Sequence, residues 1–162
     1  MEKNILPFIF LIWNMISFGQ SENNTLYGIS SCTEIELTHT DDKCGEWGGN
    51  TEIIRFFKKD CKSEYYIVYS KRLMDCSIDP ITHYKRKDFD EQKIILSTKE
   101  DRKLLELCIK ELTEMKLSNP IIITHSGILN KVTSNDSTLT IKDYPSKEWS
   151  NFNRLKKSIM EK

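Results

Sequence analysis

Five cysteines are the residues of this chain best suited to covalent chemistry. Cys32, Cys44, Cys61 and Cys76 lie in or beside segments of strand and turn character, whereas Cys108 lies in a helical pattern. Cysteines of exported proteins form disulfides, so we predict two bridges among the first four and leave their three possible pairings open. A zinc site is the alternative, but the chain has no Cys-x-x-Cys pair and the spacings are unlike those of zinc ligands.

The segment from Cys44 to Asn50, which reads CGEWGGN, is the most unusual stretch of the sequence. Its three glycines allow a sharp turn, and a disulfide at Cys44 would fix one end. Trp47, with Glu46 and Asn50 beside it, is the candidate binding group for a protein or a sugar ring. The competing interpretation is that the Trp47 ring folds back and caps the core. We favour this second interpretation, in which the ring is buried, because tryptophan side chains are on average highly buried in proteins.

A histidine and a serine follow one another at His125 and Ser126, directly after an apolar run. Neighbouring residues of an extended chain point to opposite faces, so this pair cannot be a nucleophile with its own base. A small secreted hydrolase with a dispersed site remains the alternative function. Its residues would be His125 or His83 with a carboxylate such as Asp75 or Asp79.

An acidic turn contains His39, Asp41 and Asp42, with Glu46 nearby. These are metal-ligand types, but the order of an EF-hand loop is absent, which favours a solvated turn. We therefore predict no metal site, and no sequence motif indicates a cofactor.

Four segments before residue 97 have the character of strands. Apolar and polar residues alternate from Thr33 to Thr38, and aromatic and β-branched residues fill Thr51–Lys58 and Tyr65–Tyr69. Residues 93 to 96 form a fourth, shorter candidate.

Two amphipathic helices are predicted. The first has Ser97 as its N-cap with Glu100 three residues later, and it ends before Asn119-Pro120. The second follows Pro145-Ser146. The apolar stripes of the two helices consist of Leu104, Leu105, Cys108, Leu112 and Met115 in the first, and of Trp149, Phe152, Leu155 and Ile159 in the second.

Between the helices, residues 121 to 124 read as a buried strand, and residues 129 to 132 and 138 to 142 as a hairpin. The resulting order is β-β-β-(β)-α-β-β-β-α. Strands that cluster before the first helix indicate an α+β fold, a mainly antiparallel sheet with two helices packed on it.

The first 19 residues have the pattern of a cleavable signal peptide. A short charged start precedes about a dozen apolar residues, and Ser17-Phe18-Gly19 supplies small residues for a peptidase. Residues 20 to 31 are polar and are predicted to form a flexible lead-in, and residues 32 to 162 a single α+β domain. The predicted location is periplasmic or secreted, with no membrane span after removal of the leader.

The chain is electrically neutral, with 24 basic and 24 acidic residues. Neutrality gives no strong attraction to nucleic acid or anionic lipid, so neither is expected as a partner. Because no catalytic motif is visible, the leading hypothesis is a monomeric, non-enzymatic exported domain. Its expected partner is a protein, an envelope component or a glycan.

Overall fold

A computed structural model describes residues 32–61, 63–76, 91–119 and 124–162. Within them the chain forms one six-stranded antiparallel sheet with two helices packed on one face, which confirms the predicted α+β class. The predicted signal peptide, the lead-in and the strand at 121–123 lie outside the described residues, as do His83 and Asp79.

The elements follow the predicted order, with small shifts at their ends. The strands are β1 Ile35–Thr40, β2 Thr51–Lys58, β3 Tyr65–Arg72, β4 Glu91–Leu96, β5 Ile128–Ser134 and β6 Thr140–Ser146. The helices are α1 Lys99–Ser118 and α2 Ser150–Met160. No helix in these described ranges has the length and apolar character needed to cross a membrane.

The strand order across the sheet is β4-β3-β2-β1-β5-β6, and every neighbouring pair is antiparallel. The first four strands follow one another as a meander, and β5 then pairs with the free side of β1. Leu37 in the centre lies opposite Ile54 on β2 and Val132 on β5. Strand alternation directs this row toward the helices, so one face is the core face and the other, here called the outer face, is not covered by α1 or α2.

The core lies between the sheet and the two helices. Its fully buried members include Leu37, Phe56, Leu105, Phe152 and Trp149. The Trp149 ring stacks on Phe152 with centroids 5.1 Å apart, and its Nε1 donates a hydrogen bond to the carbonyl oxygen of Cys108 at 3.1 Å. The apolar stripe predicted for the second helix, from Trp149 to Ile159, is completely buried.

Helix α1 begins one residue later than the sequence predicted. The N-cap is Thr98, not Ser97, and its capping-box partner is Asp101, not Glu100. The Asp101 backbone N–H donates to Thr98 Oγ1 at 3.2 Å, and the Thr98 backbone N–H donates to Asp101 Oδ2 at 2.7 Å. The carboxylate of Asp101 is fully buried and also binds Lys162 at the end of the chain.

Burial by itself raises the pKa of the Asp101 carboxyl, but the hydrogen bonds from Lys162 and Thr98 outweigh it, so the net pKa is lowered. The charged form of Asp101 therefore stabilises the start of α1.

Two disulfides join Cys32 to Cys61 and Cys44 to Cys76. The fifth cysteine, Cys108, is a buried free thiol on the core face of α1. Burial, with a smaller contribution from the charge of Glu111, raises the pKa of the Cys108 thiol far above its ordinary value. Two bridges in so short a chain are typical of proteins that fold in an oxidising compartment.

Candidate binding site at the Trp47 loop

Residues 41 to 50, here called the Trp47 loop, connect β1 to β2 and are closed at the base by Asp41. Oδ1 of Asp41 accepts hydrogen bonds from the backbone N–H groups of Asn50 and Lys43, at 2.8 and 3.1 Å. Oδ2 accepts one from the amide nitrogen of Asn50 at 2.9 Å. The backbone N–H of Asp41 also donates to the carbonyl oxygen of Asn50 at 3.0 Å. One carboxylate thus fixes both ends of the loop.

Glycine is required at two points of this loop. A Cβ on Gly49 would lie 1.8 Å from Oδ1 of Asp41 and 2.5 Å from its carbonyl oxygen, so no side chain fits there. Gly48 has a φ of +82°, in the left-handed region that favours glycine. The two glycines allow the chain to return to β2 directly after the short 3-10 helix Gly45–Trp47.

The Trp47 loop is fastened to the segment that follows β3. The Cys44–Cys76 disulfide makes one connection. The second is a hydrogen bond of 3.0 Å from the backbone N–H of Met74 to Oδ1 of Asn50. Asn50, a predicted binding residue, therefore uses both ends of its side-chain amide within the protein, and its role is to position the loop.

Trp47 is not buried, which corrects the interpretation favoured from the sequence. The residue is 49% exposed, and the short 3-10 helix that carries it contains no buried residue. The tryptophan that packs in the core is Trp149, which is fully buried. Glu46 next to Trp47 is also exposed.

A cavity of about 220 Å³ lies beside Trp47 on the outer face. Four of its lining residues, Thr40, Thr51, Arg72 and Leu129, form one row across four neighbouring strands. The rest of the lining comes from Trp47, Gly48, Gly49, Leu73 and Met74.

A second cavity of about 250 Å³ lies on the other side of Leu73 and Met74, which line both. The remaining residues of its lining are Lys43, Asp75 and Cys76. Leu73, which lines both cavities, is 38% exposed.

This arrangement is suited to receive side chains of a partner. The walls of the first cavity combine apolar side chains with polar ones, and the hydroxyls of two polar lining residues, Thr40 and Thr51, lie 3.2 Å apart, within hydrogen-bond distance of each other. Its volume is below the range of about 300–1,000 Å³ common for small-molecule sites. A cavity of this size and lining fits individual anchoring side chains better than a cofactor.

Sequence reasoning did not find Arg72, Leu73, Met74 or Leu129 as part of the site. They come from two segments of the chain that are distant in sequence from Trp47, and the strand register brings these segments to it. No local motif marks them, so the useful signal was limited to the Gly-rich segment itself.

Those residues considered for catalysis or metal binding that the structure describes lie at separate places. His125 and Ser126 are exposed and lie in the loop before β5, where the Ser126 backbone contacts the hydroxyl of Thr124. Asp75 lines the second cavity. Asp41 binds loop N–H groups, whereas His39 faces the helices. Among the described residues, no group of three metal-ligating side chains is present.

A buried polar cluster on the core face was also missed. Nδ1 of His39 lies 2.7 Å from Oδ1 of Asn130 and must be the donor, because the amide oxygen only accepts. The amide nitrogen of Asn130 donates to Ser146 Oγ at 2.9 Å and to the Lys147 carbonyl oxygen at 2.8 Å. His39 also contacts the Phe152 ring, with centroids 5.6 Å apart. The cluster therefore joins β1, β5, β6 and α2.

Glu52 on β2 lies directly opposite His39 and completes this region. Its carboxylate binds Lys156 of α2 at 2.7 Å and Lys71 of β3 at 3.6 Å. Because both carboxylate oxygens are occupied by lysines, Glu52 anchors α2 to the sheet.

Comparison with known proteins finds no family model, no curated protein and no solved structure that matches this chain.

Proposed function

We propose that this chain is an exported, non-enzymatic domain that binds another protein through the Trp47 loop and the two adjacent cavities. The observation that carries the proposal is the half-exposed Trp47 ring on a loop fixed by a disulfide, by Asp41 and by Gly49. A rigid loop loses little conformational entropy on binding, so an exposed tryptophan on it is well placed to contribute binding energy.

The chemistry of the surface favours a protein over a glycan. Tryptophan and arginine are the residue types most enriched at the energetic centres of protein interfaces, and methionine is common at adaptable ones. Trp47, Arg72 and Met74 lie together around the first cavity. A sugar site needs several free polar groups to read hydroxyls, whereas the two threonine hydroxyls here lie within hydrogen-bond distance of each other.

Export is the second part of the proposal. The apolar leader and the two disulfides both fit a chain that leaves the cytoplasm. The test is intact-mass analysis of the protein purified from the cells that produce it. Loss of the leader near Gly19 is expected, and a native protein that still carries Met1 would contradict export.

Binding is tested by photo-crosslinking in those same cells. A photoreactive benzoyl-phenylalanine at Glu46, next to the intact Trp47 ring, should yield a discrete adduct that proteases digest. The matched control is the same group at Leu117 on α1, which is 82% exposed on the other side of the molecule. Adding Trp47→Ala should remove the adduct at position 46.

Three outcomes would contradict the proposed function. They are no adduct at position 46, equal adducts at positions 46 and 117, and an adduct that survives Trp47→Ala. An adduct that resists proteases but is cleaved by glycosidases would show that the partner is a glycan.

A further inference from the structure

Basic side chains outnumber acidic ones on the described part of the outer face of the sheet. Among the described strand side chains that point to that face, four are basic and one is acidic. The basic ones are Arg55, Arg72, Lys131 and Lys142, and the acidic one is Glu36. On the helix side, by contrast, exposed acidic and basic residues alternate along α1. The net charge of zero therefore does not describe the local charge of this face.

The two lysines of this outer-face set are placed where they repel each other. Lys131 on β5 lies directly opposite Lys142 on β6, and neither forms an ion pair with a described carboxylate. Like charges in directly opposed positions destabilise an antiparallel pair. On the core face the corresponding arrangement is favourable, since Glu52 lies opposite Lys71 and binds it. The lysine pair is thus a local cost to folding that an anionic ligand would relieve.

This basic pair continues the surface of the Trp47 site. Leu129, which lines the first cavity, lies two residues before Lys131 on β5, a distance of about 7 Å along a strand. Arg55 lies farther along the same face on β2, directly opposite the acidic Glu36 on β1, with its guanidinium 5.6 Å from the centre of the Phe57 ring. A partner anchored at Trp47 would therefore reach these cations with the adjoining part of its chain.

We propose that the partner carries an acidic polypeptide segment that lies across the outer face on Lys131 and Lys142. The inference rests on the proposed function, because it extends the surface used by the same partner. Charged groups around an apolar centre increase the rate of encounter and set its orientation. Association should therefore slow strongly as salt concentration rises.

A membrane surface is a poorer fit for this face. The most exposed apolar residues of the sheet, Ile94 and Leu96, lie on the edge strand β4, four strands away from Lys131. Neighbouring strands rotate by about 20–25°, so over this span the face turns by roughly 90°. A flat bilayer cannot contact both regions at once, whereas a flexible polypeptide can follow the twisted surface.

The probe for the experiment is fluorescently labelled poly-L-glutamate, titrated into the full chain at low salt. The double variant Lys131→Gln/Lys142→Gln should bind it at least about tenfold more weakly, the effect of losing charge-assisted contacts. The charge-matched control is Lys103→Gln/Lys110→Gln, which removes two exposed lysines of α1 and should leave binding unchanged. Removing the repulsion between the two lysines should also raise the melting temperature of the first variant. Measuring this increase would show that the variant folds.

Absence of poly-L-glutamate binding, or equal weakening by both double variants, would overturn the inference. Tighter binding of heparin, or of vesicles rich in phosphatidylglycerol, than of poly-L-glutamate would overturn the assignment to an acidic polypeptide. Trp47→Ala should leave poly-L-glutamate binding within about twofold. The crosslink at position 46 tests the Trp47 site without this probe, so failure of one proposal can be distinguished from failure of the other.

Discussion

Trp47 and Trp149 have the same side chain and opposite roles. Trp149 is fully buried, stacks on Phe152 and donates a hydrogen bond to the Cys108 carbonyl oxygen. Trp47 is half exposed, although the loop that carries it contains a disulfide, a capping carboxylate and two conformationally required glycines. The comparison teaches that rigidity and burial are separable. Trp149 stabilises the fold through its packing in the core. Trp47 is held half exposed by a loop whose backbone is fixed by other residues.

The largest effect is expected at Trp149. Trp149→Ala removes the largest fully buried side chain of the described residues and leaves a cavity in the core, at an expected cost of about 3–5 kcal/mol in the free energy of unfolding. Urea denaturation followed by far-UV circular dichroism measures this loss. A cost below about 1 kcal/mol would mean that the core tolerates the cavity and that the two tryptophans do not differ in the way described.

The second-largest loss of stability is expected from removal of a disulfide. Replacing Cys44 and Cys76 with serine opens a connection across 32 residues and should lower the free energy of unfolding by about 2–4 kcal/mol. The Cys32/Cys61 double variant, with a separation of 29 residues, should lose a similar amount. Only the first variant should weaken crosslinking from position 46, because only Cys44 belongs to the Trp47 loop. Equal crosslinking in both variants would show that the loop needs no bridge to present Trp47.

Asp101 should have a smaller and pH-dependent effect. Because its pKa is lower in the folded state than in the unfolded state, the charged form stabilises the fold above the unfolded value of about 3.8. This contribution is lost as the pH falls through the lower folded value. Asp101→Asn should therefore cost about 1–2 kcal/mol at pH 7 and progressively less in acid. Chemical denaturation at a series of pH values checks this, and a difference that stays constant down to pH 2 would contradict it.

The sequence predicted local structure well where periodicity was strong. Residues 51 to 58 were predicted as a strand with the bounds that β2 has, and the apolar stripe of α2 was predicted in full. The predicted start of α1 was wrong by one residue. Two capping patterns overlap there, one formed by Ser97 with Glu100 and one by Thr98 with Asp101. Local chemistry alone does not choose between them, whereas the contact of Asp101 with Lys162 does.

The candidate site was only partly predictable. The Gly-rich spacing around Trp47 identified the loop, but the direction of the ring depends on contacts distant in sequence. Met74 holds Asn50 from a segment 24 residues away, and the register of four strands brings Arg72 and Leu129 to the cavity. Average burial of tryptophan gave the wrong answer because Asp41, Asn50 and a disulfide hold this loop in a conformation that leaves the ring half exposed.

The smallest effect is expected at Trp47, and it bears most directly on the claim that this ring serves recognition and not folding. The decisive measurement is the free energy of unfolding of Trp47→Ala by urea denaturation, beside the unaltered chain. A decrease of about 1 kcal/mol or less is predicted, because the ring is already half exposed and the loop is held by other groups. A decrease of about 3 kcal/mol or more, as for a fully buried ring, would contradict the claim.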